Sequence, residues 1–183
     1  MAQFIPFDKN VEVLGQSILS LINALPVGRD SRSQILTSQG IKDLKANHWY
    51  PQGQVLKAYE AISKQLGNST LFAIGKAVLD NAIFPPEISN LEKAMQSLDV
   101  AYKMNHRGGE IGHYKVITFD SKGKKAVIEC KNPYPSEFDR GIISSVLRRF
   151  KPADASYKYD VVLDTDQPTR LNGADSCTYN VTW

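Results

Sequence analysis

Tyr114-Lys-Val-Ile-Thr-Phe-Asp120, the turn Ser121-Lys-Gly-Lys124 and Lys125-Ala-Val-Ile-Glu-Cys130 decide the fold of this chain, because together they predict a β-hairpin. A helix-forming stretch follows at 136–150, and two more strand-forming stretches lie at 157–163 and 176–183. A helix of this kind covers one face of an antiparallel sheet. The order strand–strand–helix–strand–strand is therefore the most informative pattern in the sequence.

The predicted helix at 136–150 has signals at both ends. Ser136 is placed to accept a hydrogen bond from the third backbone amide, and Asp139 to reach back, as in a variant of the capping box. Arg148 and Arg149 stand in its last turn, where the helix dipole favours positive charge. We expect its apolar residues to cover the sheet.

Residues 1–106 predict helices, because apolar residues recur there at helical spacing. Pro26 and Gly28 end the first helix, and the polar stretch 27–34 is expected to be a loop. Gly75 lies inside a predicted helix, which is unfavourable by about 1 kcal/mol unless another backbone passes close to it. The predicted helices are 11–24, 38–47, 51–66, 69–82 and 87–105.

Together the two halves predict an α+β fold, in which a helical N-terminal half packs on a four-stranded antiparallel sheet. We expect a single domain over residues 1–183, because no linker or shift in composition divides the chain. The helical half is expected at 1–110 and the sheet half at 111–183.

The composition is that of a soluble globular protein, since 42% of the residues are hydrophobic and 22% are charged. A net charge of +3, scattered along the chain, argues against nucleic-acid binding. No apolar run approaches the roughly 18 residues of a membrane span, and the N-terminus lacks a signal-peptide pattern. We therefore expect a cytoplasmic protein, in which Cys130 and Cys177 are buried free thiols rather than a disulfide.

The C-terminal residues Gly173-x-Asp-x-Cys177-x-Tyr179-x-Val181 are similar to the Gly-x-x-x-Cys-x-Phe/Tyr-x-Ile ending of 4-vinyl-reductase-type domains. The segment Tyr134-Pro-Ser-Glu-Phe-Asp-Arg140 resembles the region in which haem–nitric-oxide-binding domains carry Tyr-x-Ser-x-Arg. With the helical half and the sheet tail, these motifs resemble the superfamily of 4-vinyl-reductase-type small-molecule-binding domains, haem–nitric-oxide-binding domains and TRAPP trafficking subunits. The resemblance covers most of the chain.

The chain departs from the binding motifs that this resemblance brings. The haem branch holds the haem propionates with Tyr, Ser and Arg at positions i, i+2 and i+4. Tyr134 and Ser136 match, but Phe138 stands in place of the arginine, and the nearest arginine is Arg140. Metal-binding members of the 4-vinyl-reductase branch use several cysteines, whereas only Cys177 stands at a matching position here.

Two histidines, His106 and His113, are the candidate metal ligands if haem is bound, because neutral imidazole binds iron. Alternatively, His106 is a helix-end or surface residue that the dipole favours. Arg140 could clamp a carboxylate or form a surface ion pair. The expected ligand-binding residues, between the helices and the sheet, are Tyr59, Phe72, Tyr102, His106, Cys130, Tyr134, Phe138 and Arg140.

These features favour a non-enzymatic sensory or small-molecule-binding domain, which holds an apolar ligand and signals to a second copy or a partner protein. The sequence contains neither the Gly-x-Ser-x-Gly motif nor a metalloprotease or dinucleotide-binding motif, so no such motif argues for an enzyme. One alternative is a haem-dependent gas sensor with a histidine on the iron, so haem is the cofactor that the resemblance implies. The other is an interaction or scaffold subunit whose pocket is filled by its own side chains.

Overall fold

Six α-helices and two antiparallel sheets make up the part of the chain that the computed structural model describes, residues 3–80 and 82–183. The helices are α1 (Gly15–Asn23), α2 (Arg29–Ser38), α3 (Gln52–Leu66), α4 (Asn68–Asp80), α5 (Leu91–Met104) and α6 (Ser136–Phe150). The strands are β1 (Glu12–Leu14), β2 (Trp49–Pro51), β3 (His106–Arg107), β4 (His113–Asp120), β5 (Lys125–Lys131), β6 (Asp160–Leu163) and β7 (Ser176–Thr182).

The larger sheet has the strand order β4-β5-β7-β6, so the last strand lies between two others. Cys130 of β5 is directly opposite Cys177 of β7, and both are buried free thiols, as predicted. The smaller sheet has the order β2-β1-β3 and joins the start of the chain to the segment after α5. The predicted α+β fold, with its four-stranded antiparallel sheet, is confirmed.

Two expectations for the helical half are wrong. Residues 29–34 belong to α2 and not to a loop, and α2 ends at Ser38, where a helix was expected to begin. The buried side chain of Arg32 explains the difference, because its guanidinium donates hydrogen bonds to the carbonyls of Ile22, Leu25 and Val27. This tertiary contact, which anchors the polar first turns of α2, has no local sequence signal. The smaller sheet was also missed, because its strands are only two or three residues long.

The helices α4 and α6 cross at two glycines. A Cβ atom on Gly75 would lie 2.1 Å from the carbonyl oxygen of Phe138, and one on Gly141 would lie 2.2 Å from that of Phe72. The sequence predicts that another backbone passes close to Gly75, and the backbone of Phe138 does so. This crossing fixes the N-terminal turns of α6 against the helical half.

A continuous hydrophobic core includes buried residues of both halves, from Val13 to Trp183. Within residues 3–80 and 82–183, none of the helices combines the length and the apolar character that crossing a membrane requires.

Candidate ligand-binding site at His106

A cavity of about 110 Å³ lies where the helical half meets α6 and the edge of the larger sheet. Its walls are mainly aliphatic and aromatic, and no Lys, Arg, Asp or Glu is among the described residues that line it. The lining residues are Val13, Ser17, Ile18, Val55, Tyr59, Val78, Leu79, Leu98, Ala101, Tyr102, Asn105, His106, Tyr114, Tyr134, Phe138 and Ile142. The chain thus encloses an uncharged, largely apolar space.

His106 is one of the polar residues that line this cavity, with Ser17 and Asn105, and it is only 8% exposed. Its Nδ1 atom lies 2.8 Å from the carbonyl oxygen of Tyr102, and its Nε2 atom lies 2.7 Å from the hydroxyl of Tyr134. A carbonyl oxygen can only accept, so Nδ1 carries the proton, and Nε2 accepts a hydrogen bond from the tyrosine. Burial lowers the pKa of His106 from 6.5 to about 4, so the ring is neutral near pH 7. The surface alternative for His106 is therefore excluded.

Aromatic rings pack around this histidine. The ring of Tyr59 lies edge-on to those of Tyr134 and Phe138, with 5.5 Å and 5.0 Å between ring centroids. Edge-to-face pairs of this kind stabilise beyond their buried area by about 0.5–1.5 kcal/mol each. The centroid of the Tyr102 ring lies 4.1 Å from that of the imidazole, and the two ring planes are tilted by 35°. The cavity wall is therefore a packed aromatic cluster.

A buried polar network holds Tyr134 in place. The amide nitrogen of Tyr134 donates to the side-chain oxygen of Asn132 (2.9 Å), whose Nδ2 donates to Asp139 (3.2 Å). Asp139 also accepts from Arg170 and Tyr114, each at 2.5 Å. Both members of the ion pair are fully buried, at 0% and 1% side-chain exposure. Burial raises the pKa of Asp139, and Arg170 and the hydrogen bonds act in the opposite direction.

The predicted capping box of α6 is wrong, because Asp139 takes part in the buried network instead. Pro135 occupies the N-cap position and makes no side-chain hydrogen bond to the first turn. Asp139 instead faces inward to Arg170. The backbone nitrogen of Ser136 donates to the side chain of Gln3, 3.1 Å away. The first turn of α6 is thus held by the core and by the N-terminal segment.

Gln52 is a further buried polar residue, and no sequence pattern singled it out. It is the first residue of α3, and it is 0% exposed. Neither the nitrogen nor the oxygen of its side-chain amide has a hydrogen-bond partner among the described residues. Burial raises the pKa of Tyr102 and Tyr134, while the neighbouring Gln52 amide acts in the opposite direction on both.

Five of the eight expected ligand-binding residues line this cavity: Tyr59, Tyr102, His106, Tyr134 and Phe138. Phe72 and Arg140 lie instead in a separate cleft of about 180 Å³. There Arg140 pairs with Glu137 at 2.7 Å and stacks over the Phe72 ring at 4.2 Å, which matches the surface ion-pair alternative. The structure does not bring these two residues to the cavity.

The eighth expected ligand-binding residue, Cys130, and the candidate metal ligand His113 also lie elsewhere. Cys130 is buried within the larger sheet and is not a lining residue. His113 is about one-third exposed and lies 2.8 Å from Glu129 on the neighbouring strand. His106 and His113 thus do not share a site, and no cluster of three or more potential metal ligands occurs in residues 3–80 and 82–183.

Two residues that matter for the site were not expected from the sequence: Gln52 and Arg170. Arg170 lies in a short 3₁₀ turn, Arg170–Asn172, within a polar stretch that carried no recognisable signal. A polar side chain after Pro51 is ordinarily a solvent-exposed helix start, so Gln52 gave no signal either.

Comparisons with known proteins identify the fold and not a sequence family. No family model matches the sequence, and no curated protein sequence matches it significantly. Among solved structures, an H-NOX protein from S. oneidensis in the Fe(II)NO ligation state is similar, with a TM-score of 0.65 and 12% identity over 92% of this chain and 97% of that one.

Two further structures agree with this likeness. A Cs H-NOX mutant with 4-cyano-L-phenylalanine at site 5 has a TM-score of 0.65 and 14% identity over 92% of this chain and 95% of that one. An oxygen-binding H-NOX domain related to soluble guanylate cyclases, in its oxygen complex, has a TM-score of 0.62 and 14% identity over 92% of this chain and 93% of that one. The likeness bears on the haem–nitric-oxide-binding branch of the resemblance and not on the other two branches. The chain therefore has the fold of H-NOX domains.

Proposed function

We propose that the chain is a sensory domain that binds a small, largely apolar molecule in the cavity at His106, without haem. The observation that carries this proposal is the uncharged, largely aliphatic and aromatic cavity with one buried, neutral histidine in its wall. Ligand sites are typically apolar spaces with a few convergent polar groups. Occupancy would be passed on through association with a second copy or with a partner protein.

Haem is the second candidate ligand, and the solved-structure comparisons favour it over an unspecified apolar molecule, since the similar structures are H-NOX domains. His106 fits the role of an iron ligand. It is neutral and buried, and its Nδ1–H is fixed by a carbonyl, which is how ligating histidines are usually oriented.

The rest of the site does not fit haem. A cavity of about 110 Å³ is smaller than the roughly 300–1,000 Å³ that drug-sized ligands occupy. Phe138 lines the cavity at the position where the haem branch has its propionate-binding arginine, and Arg140 is turned outward to Glu137. The Tyr134 hydroxyl already occupies Nε2 of His106. Burying two propionates without a cation beside them would be strongly unfavourable.

Ligand recovery from the purified chain tests the proposal. Ala101 is exposed and lines the cavity, so it marks the opening, and Ala101→Trp should block entry. Val100, the next residue, is 59% exposed and is not a lining residue, so Val100→Trp is the matched control. By native mass spectrometry, we expect a bound small molecule on the wild type and the control but not on Ala101→Trp. Equal occupancy of all three variants would place the ligand elsewhere.

A protein that carries no ligand and takes none up, and that is isolated only in complex with another chain, would instead support the scaffold alternative. In that case the Ala101→Trp substitution should leave the complex unchanged, because the cavity would have no role in it.

A further inference from the structure

The cleft of about 180 Å³ that contains Phe72 and Arg140 lies between α4, α6 and the start of β6. It shares no lining residue with the cavity at His106, so the two spaces are separate. Three of the side chains that line the cleft are positively charged: Lys76, Arg140 and Arg148. A cleft lined mainly by one sign of charge concentrates ions of the opposite sign. The cleft should therefore attract anions.

The guanidinium of Arg140 is held in one orientation and keeps a donor for a ligand. Its Nε and Nη2 atoms donate to the Glu137 carboxylate, at 3.1 Å and 2.7 Å, and Glu137 is not itself a lining residue. The guanidinium carbon lies 4.2 Å from the centroid of the Phe72 ring. To the residues that the structure describes, Nη1 donates no hydrogen bond. A planar group that is already oriented loses little freedom when it binds an oxyanion.

Lys76 adds a second cation beside the same ring, since its Nζ atom lies 5.9 Å from the centroid of Phe72. It is partly buried, and it makes no ion pair with any side chain in the described part of the protein. The acidic residue of the cleft, Asp160, accepts a hydrogen bond from the backbone nitrogen of Val161, at 2.7 Å. The ammonium of Lys76 is thus a positive charge without a carboxylate beside it.

We propose that this cleft is a second binding site, which takes the phosphate group of a small organic phosphate monoester. The lining side chains carry three positive charges and one negative charge, a surplus of two positive charges. A phosphate monoester carries about −1.5 to −2 charges near pH 7 and three acceptor oxygens. It matches this surplus better than a carboxylate does, because a carboxylate carries one charge and two oxygens. Arginine and lysine are both characteristic phosphate-binding residues.

The aromatic residues of the cleft indicate what accompanies the phosphate. Phe72 and Tyr159 both line it, and both are partly buried. Ligand sites combine apolar or aromatic walls with a few polar groups that fix the orientation of the ligand. The rings therefore favour a ligand whose phosphate is attached to an apolar or aromatic group. This site does not depend on the function proposed for the cavity at His106.

Titration of the full chain with phenyl phosphate, followed through the amide chemical shifts in NMR spectra, tests the proposal. We expect saturable shifts that are largest for the cleft residues of α4, α6 and the start of β6. Inorganic phosphate should bind more weakly, because it lacks the ring, and phenol should cause no saturable shift there, because it lacks the charge. Added sodium chloride should weaken the binding of phenyl phosphate, since partly exposed charges are screened by salt.

Two substitutions in the cleft and one outside it locate the site. Lys76→Gln and Arg140→Gln should each weaken phenyl phosphate by about fivefold, the effect of losing one partly exposed charge pair. Lys64→Gln is the matched control, because Lys64 is exposed on α3, pairs with Glu60 and does not line the cleft. It removes the same charge from the chain and should leave the affinity unchanged.

The proposal is overturned if phenyl phosphate causes no saturable shift, or if its largest shifts lie outside the cleft. Equal weakening by Lys64→Gln and Lys76→Gln would also overturn it, because the anion would then respond to the net charge of the protein alone. Equal affinities of inorganic phosphate and phenyl phosphate would rule out the organic part of the ligand.

Discussion

The hydroxyl of Tyr134 lies 2.7 Å from Nε2 of His106, across 28 residues of sequence. This hydrogen bond joins β3 to the segment before α6, and both residues line the cavity. Because Nδ1 of the same ring is bonded to Tyr102, the imidazole is held at both nitrogens in its neutral form.

His106 should make the stability of the chain depend on pH. Its folded pKa of about 4 lies below its ordinary value of 6.5. The unfolded state therefore binds the proton first, and stability that is present above pH 6.5 is lost as the pH falls toward 4. The loss should reach about 3 kcal/mol. Urea unfolding of the wild type and of His106→Gln at several pH values measures this contribution. The difference between their free energies of unfolding should shrink as the pH falls toward 4.

The matched control for the pH experiment is His113→Gln, because His113 is about one-third exposed and lies in β4. His113→Gln should retain the loss of stability that the His106 ring causes between pH 6.5 and pH 4. The account is contradicted if His106→Gln and the wild type lose stability in parallel as the pH falls.

The Asp139–Arg170 ion pair should be sensitive to loss of one partner. Asp139→Asn leaves the guanidinium of Arg170 buried and uncompensated, because arginine cannot give up its proton. We expect a loss of about 3–5 kcal/mol in the free energy of unfolding. Glu137→Gln is the control, since it breaks the partly exposed pair with Arg140 on the same helix and should cost no more than about 1 kcal/mol. Similar losses in the two variants would argue against the buried network.

Gly75 should not tolerate a side chain. A Cβ atom there would overlap the backbone of Phe138 at 2.1 Å, so α4 and α6 would have to move apart. Gly75→Ala should therefore reduce the free energy of unfolding by about 1–3 kcal/mol or more. Gly53→Ala is the control, because a Cβ on Gly53 would meet only Pro6, at 3.9 Å. That change should be neutral or stabilising by up to about 1 kcal/mol. A higher thermal midpoint for Gly75→Ala than for Gly53→Ala would contradict the close crossing of α4 and α6.

Local patterns were sufficient to predict the sheet half. The hairpin and α6 have apolar periodicity and turn residues within short windows, and α6 spans the predicted residues 136–150. The sequence also implied that Gly75 needs a nearby backbone, which Phe138 supplies. Contacts within one element, or between an element and a glycine, can thus be anticipated from sequence.

Long-range polar contacts could not be anticipated in this way. Arg170 binds Asp139, 31 residues earlier, and Asn132, 38 residues earlier, and nothing near Arg170 in the sequence indicates either partner. For the same reason Asp139 was taken for a capping residue, since its position in the first turn of α6 is equally consistent with that role. Only the folded structure decides which role a polar side chain takes.

The candidate site was anticipated in part. The tyrosines, His106 and Phe138 were expected because aromatic residues often line ligand sites. Phe72 and Arg140 were misplaced, because both lie on the side of the α4–α6 crossing that forms the second cleft. Which face of a helix meets a cavity depends on the crossing geometry, and spacing along one helix does not determine it.

Titration of the purified chain with hemin, followed by its absorption spectrum, tests the central claim most directly. The account predicts that the isolated protein is colourless and that added hemin keeps the spectrum of the free compound. This is because the cavity is too small and Tyr134 occupies the histidine lone pair. A Soret band that saturates at one hemin per chain and disappears in His106→Ala would contradict it and establish the haem-binding alternative.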